Sequence, residues 1–184
     1  MLDVSDWPDD IITIDSTLAL HSAHERFSAE LYALVRKNQA WLQQAMDWPR
    51  YVTGEESSRT TLRANYQLHH RGYTRMYLIL LQGRIVGVFS FNLIEPTNKA
   101  AYIGYWLDRD HQGQGIISRA LQAVMATFSA AGTLRRFVIR CIVSNEASNQ
   151  VALRNGFTLE GRLKEAEYLN GQFHDQNIYG RIVG

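Results

Sequence analysis

An apolar, aromatic run over residues 101–107, ending Gly104-Tyr105-Trp106-Leu107, leads straight into Asp108-Arg109-Asp110-His111-Gln112-Gly113-Gln114-Gly115. Beyond it, Ile116, Ala120, Leu121, Val124, Met125 and Phe128 recur at helical spacing, so a helix opens at the last glycine. The unit is a buried strand, a glycine-bearing loop and a helix. Two residues without side chains let a phosphate approach the backbone. The first turn of the helix then presents unpaired N–H groups and a partial positive charge. Alone, the pattern is equally a tight turn. It is not the dinucleotide fingerprint, whose third glycine would fall at Ser118, and no Gly-Lys-Ser/Thr makes it a P-loop.

At 184 residues, the length suits one domain over 1–184 with a substantial core. A net charge of +1 predicts no bulk attraction to nucleic acid or membrane. Cys141 is the single cysteine, so no intrachain disulfide can form, which suits a reducing cytoplasm. Its apolar neighbours point to a packed strand rather than a nucleophile. The start of the chain is acidic and has no apolar signal segment, and the longest apolar run, residues 76–81, is too short to cross a bilayer. The six histidines are scattered without carboxylates at ligand spacing, so no metal site is expected.

Residues 1–10, with Trp7-Pro8 among acids, read as a loose extension. Residues 11–14 and 17–21 read as one strand. A helix is expected from about His24, a second, shorter one holding Trp41, Leu42 and Met46 and ending near Trp48-Pro49, and a third from Glu55 to His70, stopped by Gly72. Strands follow over 76–81, 85–94 and 99–107. After the glycine loop and its helix come a strand over 137–143, a short helix closed by Gly156, and two strands joined by Asn170-Gly171.

This order, with Gln112 and Gly115 in the loop, resembles the GNAT acetyltransferases and their Gln/Arg-x-x-Gly-x-Gly/Ala signature. Ile117 stands where that family usually has Gly or Ala. The resemblance implies a mixed α/β (α+β) fold: a central, mostly antiparallel, splayed sheet of about seven strands with helices on both faces. It implies acetyl-coenzyme A as co-substrate, its pyrophosphate on the backbone of Gln112, Gly113, Gln114, Gly115, Ile116, Ile117 and Ser118. The pantetheine arm would lie beside Trp106 and Leu107, with Asn145 and Asn149 on the far wall. Read without the family, Asn145 or Ser148 simply caps a helix. Segments such as Leu68-His69-His70-Arg71-Gly72-Tyr73 and Glu167-Tyr168-Leu169-Asn170-Gly171 are similar to the ribosomal-protein-serine subgroup, which acetylates a protein α-amine.

Such chemistry needs a neutral nitrogen. An α-amine, with a pKa of about 7.7–8.0, is partly neutral near pH 7, whereas a lysine amine at about 10.4 is not. The resemblance makes Glu167 the general base, with Glu160 and Glu165 as rivals and a pairing with Lys164 or an arginine as the bland alternative. The tyrosine that many family members place four residues before the Gly-Phe pair is Ala152 here, so Ser148 becomes the general acid. The resemblance also implies a bulge at residues 105–107 that aims an N–H at the thioester carbonyl. A small amine acceptor, a non-catalytic coenzyme sensor and a homodimer stay open.

Overall fold

From residue 75 onward, alternating apolar positions build a sheet with two buried faces. The computed structural model describes residues 10–184, so the expected extension over 1–9 lies outside the described residues. The elements are β1 (Ile11–Thr13), β2 (Leu18–Ser22), α1 (Ser28–Leu42), α2 (Glu55–Arg71), β3 (Arg75–Leu81), β4 (Arg84–Glu95), β5 (Ala100–Leu107), α3 (Ile116–Ala130), β6 (Arg136–Ile142), α4 (Glu146–Arg154), β7 (Thr158–Leu169) and β8 (Gln172–Ile182). The strand order is β1-β2-β3-β4-β5-β6-β8-β7. Among the described strands, only β5 and β6 run parallel. On β3, Met76 and Leu78 pack with Leu31, Val35 and Leu62 of α1 and α2, while Tyr77 and Ile79 join Ala120, Leu121 and Val124 of α3. Helices therefore cover both faces, as expected.

The sheet has eight strands rather than about seven, because residues 11–21 are not one strand. Asp15 Oδ1 accepts from the N–H groups of Thr17 (2.8 Å) and Leu18 (2.9 Å) and reverses the chain, so β1 pairs back on β2. The expected second helix is also absent. Trp41 and Leu42 complete α1, and Pro49 sits at the start of a 3-10 turn over Trp48–Tyr51 rather than at a stop. Asp10, placed by sequence in the loose extension, is anchored: its Oδ2 accepts from Tyr77 Oη (2.8 Å), Arg75 (3.0 Å) and His69 Nε2 (3.2 Å).

β5 and β6 are in register only over Ala100–Ile103 and Arg136–Ile139. Past that point β5 stays on β4 through Leu107, and β6 stays on β8 through Ile142. The two strands diverge and leave a wedge between Gly104–Leu107 and Arg140–Ile142. This parting is the feature that positions everything below.

Candidate active site

The loop after β5 is held from behind. Asp108 is 2% exposed. Its carboxylate accepts from Asn38 Nδ2 (3.0 Å), Lys37 Nζ (3.0 Å) and His111 Nδ1 (2.9 Å). Burial raises its pKa, but these donors together outweigh that and hold it below the usual carboxylate range. Asn38 Oδ1 also takes the Arg109 N–H (3.0 Å), so α1 clamps the loop. Gln112 donates to the Leu107 carbonyl (3.1 Å). Gly113 (φ 76°) and Gly115 (φ 70°) are both left-handed. Nothing lies within 4 Å of where a Cβ would sit on either, so the loop is open to a ligand. No side chain caps α3, and its first turn carries no acid. Ile116 and Ile117 turn their side chains into the core, so Ile117 does not narrow the loop and only its backbone faces out. Ser118 Oγ accepts from Asn155 Nδ2 (3.0 Å), and Gln114 is exposed. An uncapped helix start behind bare peptide groups suits an anion such as a diphosphate.

The wedge has two walls. The Asp108 N–H donates to the Val86 carbonyl (2.7 Å), which marks a hydrogen-bonded pair of the β4–β5 ladder. Alternation then turns the peptide groups of Leu107 and Tyr105 away from β4, toward the wedge. The expected bulge at 105–107 is not there: the register from Gly87↔Leu107 to Phe91↔Ile103 is regular. The irregularities fall on β4, between Phe91 and Leu93 and again opposite Ile79 and Leu80. The divergence of β6, rather than a bulge, leaves these groups unpaired by strand.

On the opposite wall, α4 begins at Asn145, whose Oδ1 accepts from the Ser148 N–H (3.3 Å). Ser148 Oγ lies 3.0 Å from Tyr105 Oη, bridging the wedge. The Cys141 thiol faces the same side of the sheet as Tyr105, and burial holds it above its usual pKa. Burial pushes Tyr105 up to about 12. Asn149 is turned inward. Its Nδ2 donates to the carbonyls of Asn145 (2.7 Å) and Ile142 (3.2 Å), and its Oδ1 accepts from Tyr179 (2.6 Å) and Asn177 (2.8 Å). Its amide is consumed in holding α4 to β6 and β8, so the expected pantetheine contact from this side chain is reassigned to positioning.

Glu167 lies on the other face. Gln176 Nε2 donates to its Oε1 (2.7 Å), and Gln176 pairs with Ile142, whose side chain points opposite to Cys141. The rivals are engaged or displaced. Glu160 chelates Arg136 (2.5 and 3.0 Å). Glu165 sits at φ 48° in a bulge between Leu163 and Glu167, which breaks the face it was expected to share with Glu167. Arg162 and Lys164 pair with Asp175, so they do not neutralise Glu167. On this same face α1, α2 and the sheet line an open, mostly apolar cavity of about 340 Å³. Trp106, 9% exposed, lines it with its ring 5.8 Å from that of Trp48.

A family model described as an acetyltransferase (GNAT) domain matches residues 19–158. The chain belongs to the GNAT acetyltransferases. It is 54% identical to the ribosomal-protein-serine acetyltransferase of Escherichia coli (strain K12), over 94% of this chain and 96% of that one. A solved ribosomal L7/L12 alpha-N-protein acetyltransferase, in complex with coenzyme A joined to one of its cysteines by a disulfide, matches with TM-score 0.92 and 57% identity, covering 95% of this chain and 98% of that one. The microcin C7 self-immunity acetyltransferase MccE, in complex with acetyl-coenzyme A and AMP, matches with TM-score 0.92 and 38% identity, covering 98% and 100%.

Within this GNAT chain, sequence reasoning missed Tyr105 as a partner of Ser148, Gln176 as a partner of Glu167, and the Asp108 clamp. Tyr105 was visible only as one aromatic in an apolar strand. Its partner lies 43 residues away, and no local pattern links them.

Proposed function

We propose that this enzyme transfers acetyl from acetyl-coenzyme A to the α-amine of a serine-starting protein N-terminus, the ribosomal L7/L12 protein being the acceptor class that its relatives' names give. The observation that carries the reading is the wedge itself. An anion-receptive loop lies at one end, a hydroxyl pair on one face and a carboxylate on the other, in a chain similar end to end to a ribosomal-protein-serine acetyltransferase. The residues fit the co-substrate: a diphosphate takes the N–H groups of 113–118, and its pantetheine arm runs along Trp106 and Leu107 into the wedge, past Asn145.

The acceptor enters from the α1–α2 face, where Glu167 stands. Gln176 fixes one carboxylate oxygen, and the other takes the proton from the attacking amine, directly or through a water. The inward-turned N–H of Leu107 stabilises negative charge on the carbonyl oxygen. Ser148, itself held by Tyr105, hydrogen-bonds the departing sulfur and donates to it. The coenzyme disulfide in the solved relative supports placing that sulfur near the single cysteine, Cys141, which shares a face of the sheet with Tyr105 and its partner Ser148. The reading sets the enzyme in the cytoplasm and admits a homodimer.

A second reading is acetylation of an aminoacyl-nucleotide amine, favoured by the AMP complex of MccE and by the Trp48–Trp106 pair, which offers a face for a base. A polyamine is disfavoured, because among the described residues no carboxylate lines the cavity. Incubation with acetyl-coenzyme A and a serine-starting acidic peptide, following free thiol, tests the first reading. Glu167→Ala and Ser148→Ala should each slow turnover about 10²–10⁴-fold, with coenzyme affinity nearly intact. If both variants match the parent, the roles are misassigned. If no peptide is acetylated but an aminoacyl-nucleotide is, the second reading stands. Coenzyme uptake with no turnover on either acceptor would leave a sensor module.

A further inference from the structure

Past Trp106, the α1–α2 face of the sheet loses its helices. The buried cluster beneath α1 and α2 ends at that residue and takes in nothing from β6, β7 or β8. Ile139 and Cys141 of β6 point into the core with α3, so Arg140 between them points onto the uncovered face. Tyr102 does the same from β5, between Ala101 and Ile103. Arg140 is exposed, and its guanidinium lies 5.0 Å from the centre of the Tyr102 ring. No carboxylate answers it: among the described residues, the Tyr102 ring is its one side-chain partner. The acids on the strands beside this patch are engaged. Glu95 accepts from Asn98 Nδ2 (2.6 Å), Glu160 holds Arg136, and Glu167 accepts from Gln176. A guanidinium resting on an aromatic face is already oriented and weakly hydrated, so it can take up a carboxylate with little further loss of side-chain freedom.

We infer that Arg140, held over Tyr102, binds a carboxylate side chain a few residues in from the acceptor's N-terminus and so selects acidic protein N-termini. This rests on the protein-N-terminus reading above and extends it beyond the first residue. Strand register sets the route. Leu107, whose N–H faces the reacting carbonyl, stands further along β5 than Tyr102 by about 17 Å at strand rise. Arg140 pairs with Ile178, and the next residue of β8 on that face toward the wedge is Gln176, which holds Glu167. An acceptor with its amine in the wedge and its backbone extended along this face passes Ile178. It meets the guanidinium with about its fourth to sixth residue, once the reach of both side chains is counted. Such a pair is flanked by solvent. It therefore contributes a few-fold to kcat/KM, screened by salt, rather than the larger factor tied to Glu167.

The test uses serine-starting peptides, otherwise uncharged, that carry Asp, Asn or Lys at one position scanned over the fourth to sixth residues. Parent, Arg140→Gln and Arg140→Glu are compared at low ionic strength. At one of these positions the parent's kcat/KM should fall in the order Asp, Asn, Lys, by about 3- to 5-fold from Asp to Asn. Arg140→Gln should bring the three side chains within about 2-fold of one another. Arg140→Glu should invert the order and prefer Lys, a gain that damage to the fold does not produce. Raising NaCl to about 0.5 M should compress the parent's preference toward unity. A parent blind to charge at all three positions, or an Asp preference that persists in Arg140→Gln, overturns this inference and leaves acetylation of serine-starting peptides standing. Equal loss on every peptide in both variants reduces Arg140 to packing on Tyr102 and overturns it as well. A parent that acetylates none of the peptides overturns the protein-N-terminus reading, and this inference with it.

Discussion

At the residue scale, the informative contact is between Tyr105 and Ser148, because it supplies a second hydroxyl where the family's usual tyrosine position is Ala152. The two side chains come from β5 and α4, and their 3.0 Å bond crosses the wedge. Burial keeps Tyr105 protonated, with its pKa pushed up to about 12, so at neutral pH it acts as a neutral hydroxyl, donor or acceptor, and does not exchange a charge. Its contribution is to orient and polarise Ser148. Tyr105→Phe removes one neutral hydrogen bond of about 1 kcal/mol, so kcat should fall about 5- to 10-fold. The KM for acetyl-coenzyme A and the shape of the pH–rate profile should stay as in the parent. Steady-state kinetics between pH 6 and 9 decide this. A lost alkaline limb in the variant would show Tyr105 titrating, against the buried, neutral phenol described here.

At the element scale, much of the chain was legible, and the failures share a cause. Elements with strong local signals came out within a residue or two. Gly72 at φ 83° ends α2, Gly115 opens α3, and Asn170-Gly171, at φ 50° and 82°, turns β7 into β8. The misses lie where tertiary partners outvote local patterning. The β1–β2 reversal depends on a single Asp15 side chain. Trp41 and Leu42 stay in α1 because Leu42 is drawn into the core under that helix. Glu165 leaves its strand face because Asp175 Oδ1 captures its N–H (2.9 Å). Asp10 shows the same effect energetically, since it ties the start of β1 to α2 and β3. The His69 hydrogen bond foremost, with Tyr77 and Arg75, lowers its pKa from 3.8 to about 2. A depressed carboxylate pKa contributes stability above the unfolded value and loses it as pH falls through the folded one. Asp10→Asn should therefore cost about 1 kcal/mol at pH 7, after allowing for solvent screening of a half-exposed carboxyl. The gap between variant and parent should close between about pH 4 and pH 2, as followed by urea unfolding. A gap that persists at pH 2 would assign the loss to packing instead.

At the scale of the whole molecule, the sheet is a partition with a slot in it. Tyr105, Ser148, Cys141 and Asn149 stand on the α3–α4 side, while Glu167, Gln176 and Trp106 stand on the α1–α2 side. The two groups meet only where β5 and β6 part. Donor and acceptor can therefore dock from opposite faces without displacing each other, and each reaches the wedge by its own route. That favours direct attack in a ternary complex over a relay through the enzyme. The one side chain able to carry an acyl group as a thioester is Cys141, which is 5% exposed and whose thiol is raised by burial, so little thiolate is present to attack. Initial-velocity plots varying acetyl-coenzyme A at several fixed peptide concentrations should therefore intersect, and intact-mass spectra of enzyme with acetyl-coenzyme A alone should show no acetyl adduct. Parallel lines together with an adduct on Cys141 would mean that the acyl group pauses on the protein, and that the partition serves two half-reactions in turn rather than one encounter through the slot.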